Sequence, residues 1–113
     1  MFLDPGEKVH VIERRLFESD VRRHFIGQVQ GTDVMAMRVT GFVFVLDTTS
    51  STWVRGGETR TRIIPIGSSG FVINVLPRDT HLDDVRYEEV NGRLTVTDGA
   101  SLHLDINEFG RLR

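Results

Sequence analysis

Apolar and polar residues alternate along most of this chain in short runs separated by turn formers, the pattern of half-buried β-strands rather than of helices. The densest run, VMAMRVTGFVFVLD, covers residues 34–47 near the middle of the chain. In extended form it places Phe42, Phe44 and Leu46 on one face and Val43 and Val45 on the other. Both faces of its second half therefore need cover, from a second layer of the same chain or from a neighbouring subunit. Gly41 divides the run and predicts a bend, with each half in its own packing environment.

Before this run, Asp4-Pro5-Gly6 predicts a turn that sets off a short N-terminal tail, residues 1–7, whose Phe2 and Leu3 are apolar enough to dock on a neighbour. KVHVIE then reads as a strand because Val9, Val11 and Ile12 are β-branched. A reversal at Glu18-Ser19-Asp20 leads into VRRHFIGQVQ. That strand sets Arg23, Phe25, Gly27 and Val29 against His24, Ile26 and Gln28, and Gly27 predicts a bulge or a close approach of two backbones. The next turn is expected at Gly31-Thr32-Asp33.

After the central run, TWVR and ETRTRIIPI flank Gly56-Gly57 and predict a hairpin, with Pro65 making its second strand an edge or ending it there. Gly67-Ser68-Ser69-Gly70 turns the chain into FVINVL, which Pro77 ends. One helical turn is expected within Arg78 to Asp84, capped by Asp79 or Thr80. VRYEEV-NG-RLTVT carries the strongest hairpin signal in the chain, Asn91-Gly92. Asp98-Gly99 turns into a last strand, SLHLDINEF, with Leu102, Leu104 and Ile106 on one face, and residues 110–113 form a loose end. The expected fold is all-β: a single domain over residues 1–113, mostly antiparallel, a β-sandwich or small barrel of about eight strands with at most one short helical turn.

Composition narrows the function classes. A chain of 113 residues buries enough surface to fold without staples, and a net charge of -2 removes general attraction to phosphate backbones, so nucleic acid is disfavoured as a partner. The lack of cysteine removes disulfides, thiol catalysis and thiolate metal sites, and fits a reducing compartment. No basic leader followed by an apolar run and no span long enough for a bilayer are present, which points to the cytoplasm and away from membranes.

Two constellations could carry chemistry. Arg14-Arg15 and Arg22-Arg23, with His24 adjoining, lie either side of a reversal, where paired guanidinium groups can fork around a phosphate or carboxylate. The plain alternative is a solvated face balanced by Glu13, Glu18 and Asp20. Phe17 and Phe25 beside it read as core residues, so the exposed stacking platforms of an RNA binder are missing. His81 and Asp83, with His103 and Asp105, could bind a divalent metal or act as an acid and base pair, though neither set forms a metal signature and a metal ordinarily collects three or four ligands. No serine lies in a nucleophile elbow. Glu88 and Glu89 alternate to opposite faces, and Trp53 reads as packing across a strand pair or as a ligand platform.

These readings lead to a non-catalytic binding or assembly module that forms homo-oligomers and needs no cofactor. An enzyme using His81, Asp83, His103 and Asp105, or a phosphate, nucleotide or RNA binder using the arginines, are the alternatives. The oligomer expectation rests on the doubly apolar Phe42–Leu46 segment, the Phe2-Leu3 tail and the edge at Pro65.

Overall fold

A computed structural model describes residues 2–67 and 70–106. Among these residues the chain forms nine strands in two antiparallel sheets, with one 3-10 turn and no α-helix. It divides into two compact units, Met1–Leu76 and Pro77–Arg113.

The first unit holds the larger sheet: β1 (Lys8–Glu13), β2 (Arg23–Thr32), β3 (Ala36–Asp47), β4 (Thr52–Arg55), β5 (Arg60–Pro65) and β6 (Phe71–Leu76). Its order is β4-β3-β2-β1-β6, with β5 also on β3. β5 and β6 stand at opposite ends and do not pair, so no closed barrel forms. One face collects Val9, Val11, Phe25, Val29, Met37, Val39 and Ile64 into a buried core, and Val43, Phe71 and Ile73 pack against it. Leu3 belongs to that same core, so the tail docks on its own sheet there, while Phe2 stays exposed. Phe42 and Phe44 are buried on the opposite face, while Val43, Val45 and Leu46 are half-buried. Both sets are at least half-buried, and β3 pairs on both sides within its own sheet.

Gly27 and Gly41 face each other across β2 and β3. A Cβ built on Gly41 would fall on the Ile26 carbonyl oxygen and the Gly27 Cα, so these glycines allow the close backbone approach expected at Gly27. The register shift lies further along, between Val29 and Gly31. β2 runs on to Thr32, and Asp33 makes the turn by accepting hydrogen bonds from the Met35 and Ala36 amides at 2.8 Å each.

The expected hairpin at Gly56-Gly57 does not form. β4 pairs with Phe44–Asp47 and β5 with residues 36–41, so both run along the same side of β3. The Gly56 amide donates to the Val43 carbonyl at 2.8 Å, which continues β4 along β3 instead of turning it back, and neither glycine adopts positive φ. Gly41 therefore marks where β3 changes partner. Pro65 ends β5, which pairs on one side only among the described residues.

The second unit contains the 3-10 turn Leu82–Asp84 and the sheet β7 (Arg86–Val90), β8 (Arg93–Thr97) and β9 (His103–Asp105). Asn91 at φ 53 and Gly92 at φ 77 form the β7–β8 turn, as the sequence requires of a primed turn. His81, rather than Asp79 or Thr80, stands at the N-cap of the 3-10 turn, with no side-chain cap. Its amide donates instead to Asp98 Oδ2 at 2.8 Å, and Asp98 Oδ1 accepts from Ala100 and Leu102. Ser68 and Ser69 of the expected turn, residues 107–109 of the expected last strand and the loose end 110–113 lie outside the described residues.

Candidate functional site

Alternation along β2 separates the expected arginine site into two environments. Glu13 and Arg23 oppose each other across β1 and β2 and form a loose ion pair at 3.8 Å. Together with Arg14, Arg15 and Asp20 they line one concave site of about 320 Å³ on the β1–β2 connection. Asp20 is engaged there, since its Oδ2 accepts from the Leu16 and Phe17 amides. Arg15 donates to the Glu18 carbonyl at 2.8 Å. Burial, and then the charge of Arg15, lower the pKa of Arg22 from its ordinary value, but Arg22 is not part of the basin's lining.

His24 points away from this basin. Its ring lies 4.3 Å from that of Trp53 on β4, tilted by 34°, and it meets His10 of β1 edge-on. The Asn74 amide nitrogen on β6 donates to His10 Nδ1 at 3.2 Å. His10 then carries its proton on Nε2 and donates to His24 Nδ1 at 3.1 Å. A polar line thus runs across the buried face from β6 through β1 and β2 to β4. Both rings are neutral: burial holds His10 down at about 4, and burial, His10 and Arg22 hold His24 at about 3. Nothing in the alternation of β1 marks His10 as the enclosed histidine, so this contact emerges only from the fold.

The second constellation is placed differently. His103 and Asp105 share a face of β9, as expected, but each is engaged within the second unit. His103 Nε2 donates to the Ala100 carbonyl at 3.0 Å, and its Nδ1 accepts from the Thr97 hydroxyl at 3.2 Å. Asp105 pairs with Arg93 at 2.6 Å. His81 and Asp83 lie at the 3-10 turn, and among the described residues no three His, Asp or Glu side chains form a group that could hold a metal ion.

A second concavity emerges only from the fold. It lies on the core face at the seam where β5 comes near the starts of β2 and β6, has a volume of about 150 Å³, and is lined in part by Phe25, Ile64 and Phe71 with Arg23 and Arg62. Arg62 became visible only through the fold, which holds its guanidinium 5.6 Å from the Phe25 ring centroid.

Comparison of the chain with family models, curated proteins and solved structures finds no match in any of the three. Among the described residues, no helix is long and apolar enough to cross a membrane.

Proposed function

We propose that this chain is a non-catalytic assembly module that pairs with a second copy of itself through β6. The observation that carries this reading is the chemistry of that edge. Phe71–Leu76 has no charged residue and no proline, stands at the end of the strand order, and exposes Val72 and Val75. Natural edge strands are ordinarily blunted by charge, proline or short length, and an edge without these devices is a template for another strand. Antiparallel pairing of β6 with its own copy about a twofold axis brings no like charges together, so the strand is self-complementary. A cytoplasmic setting belongs to the same proposal, supported by the cysteine-free composition.

Sedimentation velocity at micromolar concentration tests it. A dimer is expected for the natural chain and a monomer for Val72→Lys/Val75→Lys, whose lysines occupy exposed positions. A monomeric natural chain contradicts the proposal.

The arginine basin favours a second reading, a small anionic ligand held by Arg14, Arg15 and Arg23. Phosphate binding there should weaken steeply with added salt and be lost in Arg14→Gln/Arg15→Gln. Salt-independent or absent binding counts against it.

A further inference from the structure

We propose that the seam between β5 and β6 is a binding site for a small aromatic monocarboxylate. Its floor is apolar and already packed: Phe25 and Ile64 are 5% and 4% exposed, and Phe71 rests against the same core. Such a floor is formed before any ligand arrives, as small-molecule sites usually are. The volume of about 150 Å³ sets the size of the occupant. An apolar cavity of roughly that volume accommodates a benzene-sized ring, so a ring fits and a nucleotide does not.

Charge sets the rest. Arg62 is solvent-exposed, and the cation–π contact over the Phe25 ring sets its guanidinium at the wall of the site. Arg23 stands on β2, and its only ionic partner among the described residues is Glu13, at 3.8 Å between two half-exposed side chains. A pair of that kind is worth little and leaves guanidinium donors unused. Arg23 and Arg62 against Glu13 leave one net positive charge on the lining. One negative charge on a ring-sized apolar body complements both features, and a guanidinium receives a carboxylate through two parallel donors. Neither an uncharged ring nor a small hydrophilic anion uses the whole site. This assignment is independent of the pairing proposed for β6.

Benzoate is the direct probe, followed by amide chemical shifts in a titration of the full chain, with benzene and acetate as half-ligands. Saturable shifts centred on Phe25, Ile64 and Phe71 are expected, with acetate and benzene each at least tenfold weaker. Arg62→Gln should weaken benzoate at least tenfold, and Arg62→Lys, which keeps the charge but loses the fork, should lie between. Arg14→Gln/Arg15→Gln should leave the affinity unchanged, because only Glu13 and Arg23 are shared with the arginine basin. The proposal is overturned if benzoate shifts no amide, if its shifts centre on Arg14 to Arg22, if acetate binds as well as benzoate, or if Arg62→Gln binds benzoate as well as the natural chain. The amide spectrum of each free variant reports its fold, and Arg62→Lys serves if Arg62→Gln does not fold.

Discussion

The two ends of the six-stranded sheet are built from opposite chemistry. On one side β4 is only four residues long and ends in Arg55, while β5 carries Arg60, Arg62 and the terminal Pro65. On the other, β6 is six residues long, uncharged and free of proline. Both ends belong to one sheet with one continuous core, so stability alone does not explain the difference. The β4–β5 side is furnished against strand addition and β6 is not, which is why assembly is assigned to β6.

The largest expected effect removes the sheet that carries both edges. Gly41→Val places a branched side chain on the backbone of Ile26 and Gly27, and β3 supports β2, β4 and β5 together. A loss of more than about 3 kcal/mol is expected in denaturant titration, with self-association abolished. Stability close to that of the natural chain would mean that β2 and β3 do not approach as closely as described.

Acidification acts next, and on the β6 side. His10 and His24 have folded pKa values of about 4 and about 3, below the ordinary 6.5. The unfolded chain therefore binds protons that the folded chain refuses as pH falls below 6.5. The neutral pair's contribution is full above that pH and is lost as pH falls from there through about 4 and then about 3, by an amount on the order of 3 kcal/mol or more for each histidine. Protonation also turns an accepting nitrogen into a donor and breaks the line from Asn74 through His10 to His24. His10→Phe/His24→Phe should flatten the stability profile over this interval, as read by thermal melting. An unchanged profile would show that the pair is not held neutral.

Asp98 in the second unit behaves differently. Burial raises its pKa, but hydrogen bonds from the His81, Leu102, Ala100 and Asp98 amides outweigh it and hold it at about 2. Its contribution is present above the ordinary carboxylate value and is lost only as pH falls toward 2, a lower interval than that of the histidines. Asp98→Asn should remove that lower step from the acid profile and leave the interval above pH 4 as it was. A lower step that persists in the variant would exclude Asp98 as its source.

The smallest effect concerns the furnished edge. Arg60→Val/Pro65→Val should leave the fold intact and add weak self-association through β5, seen as concentration-dependent sedimentation beyond the dimer. No added association would mean that arginine and proline are not what keeps this edge single.

What the sequence disclosed divides along the distance between partners. Alternation assigned the faces of β2 and β3, Asn91-Gly92 located the β7–β8 turn, and Gly27 announced a backbone contact, all from residues within one strand or one turn. The Gly56-Gly57 hairpin failed because two glycines between extended segments suit either a reversal or a continuation. Which of these forms depends on β3, which offers both segments the same side. The neighbours of β6 were equally hidden: Asn74 meets His10 across a separation of 64 residues, which no local pattern encodes. The arginine basin was half legible, since Arg14, Arg15 and Arg23 do share a site while His24 turns to the other face. Support for assembly likewise moved. Leu3 is buried in its own core and β3 pairs on both sides, so neither is a free sheet edge, and the edge without charge or proline is β6.

Amide hydrogen exchange of the natural chain at low and high protein concentration tests the β6 assignment most directly. The outward amides of Phe71–Leu76 are expected to exchange at least tenfold more slowly at high concentration, while those of β4 and β5 keep their rates. Exchange in β6 that is independent of concentration, or slowing confined to β5, would contradict it.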